Sequence, residues 1–120
     1  LQGEAPTIFG DGEQSRDLVY VEDVVAANLL AAHAPAASGK VFNIAGGNSL
    51  TINGVVAALI QLIGIDVAPI YGPVRAGDVR HSAADISRAR ADIGYENVTG
   101  FEDGLRTTVA WYRASSAAAS

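Results

Sequence analysis

Arg16 stands between a turn, Gly10-Asp11-Gly12, and a β-prone run, while Arg75 lies in the Pro- and Gly-rich segment GPVRAGDVRHSA with Asp78 three residues on. Forked guanidinium donors held on short loops are what a diphosphate needs, and a neighbouring carboxylate can accept from sugar hydroxyls. Arginines at loop tips are also commonly just solvated. On residue types alone, an anionic-ligand site and an ordinary charged surface both fit.

Other constellations carry less. Gly10-Asp11-Gly12-Glu13-Gln14-Ser15 begins like a dinucleotide fingerprint, but the third Gly is absent and a strand is expected to follow, not the helix that a pyrophosphate requires. Asp11, Glu13, Ser15, Asp17 and Glu22 fall at positions 1, 3, 5, 7 and 12 of a calcium loop, yet Arg16 occupies position 6, where the turn demands Gly. His33 and His81 lie far apart in a chain without Cys, which argues against zinc. Both are read as surface histidines with local hydrogen bonds.

These groups must be held by short elements. Residues 5–12 and 18–21 are strand candidates, bounded by turn residues. Over residues 22–33, Val21, Val24, Val25, Leu29 and Ala32 recur at helical spacing, with acids in the first turn, His33 in the last and Pro35 as the stop. Asp23 reads as a first-turn carboxylate that stabilises this helix. Residues 41–44 (VFNI) are a further strand candidate closed by Gly46 and Gly47.

The clearest pattern follows. Ile52, Val55, Val56, Leu59, Ile60 and Ile63 form one helical stripe, with Thr51 as N-cap and Gly64 at the stop. A strand over residues 67–71 leads into residues 72–83, a segment too rich in Gly, Pro and charge for regular structure. Asp85 is placed to cap a short helix through Ile93, before Gly94. Thr99 and Glu102 read as a capping box opening a last helix, whose apolar face is Phe101, Leu105, Val109 and Tyr112 and whose outer side pairs Glu102 with Arg106. The tail ASSAAAS, with nothing to bury, is expected to fray. Alternating strands and helices make the class α/β, and no internal repeat is visible.

Composition agrees. With 120 residues, 49% hydrophobic and 18% charged, the chain fits one compact domain and excludes disorder. A domain of this size hides about two-thirds of its unfolded surface, enough for one core. Thirteen acids against eight bases give a net charge of -5, which argues against nucleic acid or an anionic membrane as partner. No apolar run reaches the roughly 20 residues of a membrane helix, no signal-peptide pattern opens the chain and no Cys is present, which points to the cytoplasm. The chain contains no Met and begins at Leu1, so at least one residue and at most a whole domain is expected to precede it.

The stretches GDGEQSRDLVYVEDVVAANLLA, VFNIAGG, RAGDVRHSAADISRARADIGY and FEDGLRTTVAWYR, in this order, resemble the C-terminal part of NAD-dependent nucleotide-sugar epimerases and dehydratases. These are extended short-chain dehydrogenases of the UDP-glucose 4-epimerase kind. RAGDVRHSAAD is most similar to the UDP-N-acetylglucosamine 4-epimerases. The resemblance implies an α/β substrate lobe over residues 1–113, joined to a late helix (22–33) and strand (41–44) of a Rossmann sheet whose N-terminal part is absent, and a disordered tail over 114–120. It also implies a UDP-sugar ligand, UDP-hexose or UDP-N-acetylhexosamine, and NAD in the parent family.

The family's Tyr-x-x-x-Lys pair is missing. Four residues beyond Tyr20, Tyr71, Tyr95 and Tyr112 stand Val24, Arg75, Thr99 and Ser116, and the lone lysine is Lys40. The chain alone is therefore expected to hold no cofactor and to be catalytically silent. By resemblance, Arg16 and Arg75 match the arginines that grip the diphosphate and Asp78 the carboxylate that binds the ribose. Ser82 matches the specificity position beside the sugar, bulky in relatives restricted to unsubstituted hexoses and small in those accepting N-acetylhexosamines. A helix and strand without their usual neighbours imply self-association or a missing N-terminal domain as partner. The rival reading is a free-standing module that binds a nucleotide sugar or a protein without chemistry.

Overall fold

The structure is a computed structural model that describes residues 1–118. The chain runs β1 (Thr7–Phe9), β2 (Ser15–Arg16), α1 (Val21–His33), a 3-10 turn (Pro35–Ala37), β3 (Leu50–Thr51), α2 (Ile52–Ile63), β4 (Ile70–Gly72), β5 (His81–Ser82), α3 (Ser87–Ile93) and α4 (Phe101–Ala118). The class is α/β, as the alternation predicts.

Two small sheets organise it. In one, β1 pairs in parallel with β4, Ile8 opposite Tyr71. In the other, β2 is central, antiparallel to β3 and parallel to β5, with Arg16 opposite Leu50 on one side and Ser82 on the other. The tight turn joining β1 to β2 depends on Gly12, whose φ of 75° is left-handed and whose missing Cβ leaves room for the Asn53 amide.

α2 forms as its sequence dictates. The Thr51 side chain accepts from the Gly54 N–H at 3.0 Å, and Gly64 ends the helix at φ 77°. α3 also ends at a left-handed glycine, Gly94, while the Asp85 carboxylate accepts from the Ser87 N–H at 2.8 Å just before the first turn.

Several expectations are corrected. Residues 18–21 are not a strand; pairing falls earlier, at Ser15–Arg16, and α1 already begins at Val21. Leu18 instead bonds through its backbone to the Asn48 side chain, and Asp17 accepts from the Gly46 N–H at 2.8 Å. Side chains do there what a ladder does elsewhere, so no strand registers. Gly46 is required, because a Cβ would collide with the Leu18 carbonyl. Residues 41–44 also carry no ladder, since no described strand lies beside them. The segment 72–83 is not wholly irregular, for β5 lies within it.

The helix surfaces differ too. On α1 the buried residues are Asp23 and Ala27, whereas Val21, Val25 and Leu29 are exposed, so the bulky stripe faces outward and the small face packs inward. At the start of α4, the Thr99 hydroxyl and N–H both donate to the Asp23 carboxylate rather than completing a capping box. Arg106 pairs with Asp103, one residue nearer than Glu102, at 2.7 Å. Residues 114–118 of the stretch expected to fray are helical; Ala119 and Ser120 lie outside the described residues. Along its predicted face Val109 is buried, but Tyr112 is 54% exposed.

The core lies between α1, α3 and the segment leading to Ala45: Ala27, Ala45, Ile86, Ala89, Ile93 and Tyr95. Tyr95 is fully buried and its O–H donates to the Ala45 carbonyl at 2.8 Å. The shape is not the compact one that composition suggests. A radius of gyration of 17.1 Å exceeds the about 14 Å expected for this length, and the molecule is a slab of 50 × 37 × 20 Å. The small sheets and the uncovered α1 stripe leave much apolar surface unstacked. No helix among the described residues is long and apolar enough to cross a membrane.

Candidate functional site

The parallel pairing of β2 with β5 assembles the site. Because Arg16 sits opposite Ser82, residues far apart in sequence lie side by side on neighbouring strands. The Arg16 guanidinium donates through Nη1 to the Ser15 carbonyl at 2.8 Å and through Nη2 to the Asp78 carboxylate at 2.5 Å. Both side chains are partly shielded, about 27% and 29% exposed. Asp78 closes a turn in which its N–H donates to the Arg75 carbonyl at 3.1 Å.

The structure therefore brings together Arg16, Asp78 and Ser82. Arg75 opens the turn that ends at Asp78, but its side chain is exposed and has no hydrogen-bond partner among the described residues. Ser82 is also exposed and caps nothing.

Beside the pair opens a cavity of about 580 Å³, lined among others by Phe9, Gln14, Tyr71, Val74, Asp78 and Arg80. Its aromatic walls are half exposed. The Gln14 amide donates to the Phe9 carbonyl at 2.8 Å, which fixes the floor, and the Tyr71 O–H donates to Asn53 Oδ1 at 3.0 Å on the rim.

Residue reading missed three features. Arg80 forms an ion pair with Asp11 at 2.7 Å. That bond, followed by the Glu13 N–H, holds the Asp11 carboxyl below the usual carboxylate range, and Arg80 is raised in return. Asp23, read as a helix-dipole partner, is buried and receives two hydrogen bonds from Thr99 at 3.1 and 3.2 Å, tying α1 to the start of α4. Burial, with the nearby Asp23 and Asp17 charges, pushes the Tyr95 phenol up. No periodicity reports such pairings, because they join residues from distant segments.

The acidic residues of the calcium spacing go elsewhere: Asp11 to Arg80, Glu13 to Asn53 and Asp17 to Gly46. His81 Nδ1 shares a hydrogen bond with Ser15 Oγ at 2.9 Å, and His33 Nδ1 with the Leu29 carbonyl at 2.8 Å. The residues present do not fit a dinucleotide either. Gly10-Asp11-Gly12 leads into β2 and not into a helix, and the α2 N-terminus beside it already donates its Asn53 N–H to the Gly12 carbonyl at 2.9 Å, so the turn is not the strand-to-helix loop that receives a pyrophosphate.

Comparison with known proteins places this arrangement. The model of the NAD dependent epimerase/dehydratase family matches residues 1–45. The UDP-glucose 4-epimerase of Mycolicibacterium smegmatis is 35% identical over 113 residues, covering 94% of this chain and 36% of that protein. The structure of UDP-glucose 4-epimerase with UDP-glucose from Thermotoga maritima matches at TM-score 0.90 and 44% identity, over 95% of this chain and 36% of that one. The UDP-N-acetylglucosamine 4-epimerase of Methanobrevibacter ruminantium, in complex with UDP-N-acetylmuramic acid, matches at TM-score 0.87 and 39% identity, over 94% and 36%. Further solved relatives hold NAD. The chain thus spans about 36% of the length of these relatives, and in sequence and fold it is similar to that part of NAD dependent epimerase/dehydratase family proteins.

Proposed function

We propose that residues 1–113 are the substrate-binding part of a nucleotide-sugar 4-epimerase acting on a UDP-hexose or UDP-N-acetylhexosamine. Arg16 and Arg75 hold the diphosphate, Asp78 accepts from the ribose hydroxyls, and Ser82 lies beside the sugar. The observation that carries this reading is the Arg16–Asp78 pair beside the register in which Ser82 of β5 sits opposite Arg16 of β2. A guanidinium has five N–H donors and a carboxylate about four acceptor sites. The bonds described for Arg16 use one donor on each Nη. Donors remain for phosphate oxygens and an Asp78 oxygen remains for a diol, so a ligand joins the pair without breaking it.

The chain alone performs no epimerisation, because hydride and proton transfer need groups it does not carry: none of its tyrosines has a lysine four residues on. The exposed stripe Val21, Val25 and Leu29 supports a covering partner for α1, a second copy or a further domain.

Titration with UDP in a calorimeter tests the site. Each charge-assisted contact contributes about 1.5 to 3 kcal/mol, so Arg75→Ala is expected to weaken UDP binding roughly tenfold or more. Equal binding by wild type and Arg75→Ala removes Arg75 from the site. On Ser82→Tyr, UDP-N-acetylglucosamine is expected to be lost while UDP-glucose is retained, since the ring fills the space of the acetamido group. An unchanged preference removes Ser82 from the sugar end.

A further inference from the structure

Two ion pairs tie the segment 73–80 to the rest of the protein, and they differ in kind. Arg16–Asp78 consists of groups proposed to meet the ligand. Arg80–Asp11 lies on the cavity wall and has no ligand role in that reading. We propose that Arg80 is a positioning residue: its pair with Asp11 latches the segment that carries Arg75 and Asp78 against the β1–β2 turn, and so sets affinity for the nucleotide diphosphate. The proposal rests on the function proposed above.

The anchorage supports it. At its start the segment is held where the Gly10 N–H donates to the Gly72 carbonyl at 3.0 Å. At its end Arg80 is gripped twice, by its carbonyl, which accepts from the Ser15 N–H at 2.9 Å, and by its guanidinium on Asp11. Asp11 is itself fixed, since the same oxygen accepts from the Glu13 N–H at 2.9 Å and its carbonyl accepts from the Asn53 amide at 3.0 Å. Asn53 belongs to the first turn of α2 and also receives the Tyr71 O–H. The latch therefore connects the segment to a helix and to β4 through bonded side chains.

Its importance follows from what a ligand does to the other tie. When a diphosphate also engages the Arg16 guanidinium, Arg16–Asp78 becomes part of the ligand site, and Arg80–Asp11 is the ion pair among the described residues that holds the segment independently of the ligand. Both its partners are 56% exposed, so the pair adds little to global stability. A weak tie at the right place acts on the population of the binding-competent arrangement, and affinity falls in proportion to that population.

The test is a double-mutant cycle of Arg80→Gln, Asp11→Asn and both together, read by UDP calorimetry, by thermal melting and by amide exchange at Ser15 and Asp78. Each single variant is expected to bind UDP about three- to fivefold more weakly and to speed exchange at both amides several-fold, with the melting temperature unchanged. The double variant is expected to be no worse than either single one. Arg80→Lys should restore part of the affinity, and Lys40→Ala, which breaks the distant pair with Asp92, should change none of it. Additive losses, or wild-type affinity and exchange in Arg80→Gln, overturn the latch. If the wild-type chain binds no UDP, the functional reading fails and exchange alone decides: unchanged exchange in Arg80→Gln overturns the latch, and faster exchange supports it.

Discussion

Around Tyr95 the protein uses its polar groups on itself, whereas around Asp78 it leaves them at the surface. In the first region a buried phenol donates to Ala45 and a buried Asp23 is satisfied by Thr99; among the described residues no buried side-chain polar atom lacks a partner. In the second, the ion pairs are partly or half exposed, Arg75 has no partner among the described residues and a cavity of about 580 Å³ stays open. Buried charge and hydrogen bonds cost much when broken, and exposed pairs cost little. The first region therefore sets stability, and the second is free to bind.

The strongest way to break this division is Asp23→Ala. It leaves Thr99 without its two acceptors and cuts α1 from α4, and the loss of hydrogen bonds to a charged group is expected to cost about 2 to 3 kcal/mol in a urea titration. UDP affinity of the folded protein should not change. A loss below about half a kcal/mol would show that the Asp23 clamp carries no stability.

Tyr95→Phe comes next, at about 1 to 2 kcal/mol near neutral pH, because the buried Ala45 carbonyl is left unpaired. This variant also sharpens the pH dependence. The native phenol keeps its proton to higher pH than the unfolded chain, whose tyrosines titrate near pH 10. Its contribution is complete below about pH 10 and is lost as pH rises through the raised value. The stability gap between wild type and Tyr95→Phe should accordingly narrow in alkali; a constant gap contradicts the assignment.

Arg106→Ala should have the smallest effect, within about 0.5 kcal/mol, since its pair with Asp103 is exposed on both sides. A larger change would mean that surface pairs count here as buried ones do.

The same contrast explains what the sequence made legible. α2 could be read to the residue, because Thr51 and Gly64 act on the backbone within one turn of themselves. The family resemblance singled out Arg16, Arg75, Asp78 and Ser82; β2–β5 pairing brings Arg16, Asp78 and Ser82 together, while the Arg75 side chain stays without a partner among the described residues. Residues 41–44 misled because a β-prone run becomes a strand only beside another strand. The α1 stripe misled because periodicity marks an apolar face without saying what lies opposite it; here the small Ala27 face turned inward. Arg80 and Asp23 stayed hidden, since each is defined by a partner more than sixty residues away.

The most direct test of the division is an amide shift map recorded during a UDP titration. Shifts confined to residues 9–16 and 71–82, with Asp23, Ala45, Tyr95 and Thr99 unmoved, are the predicted result. Shifts centred on Tyr95 and Thr99, with Arg16, Asp78 and Ser82 silent, would contradict it.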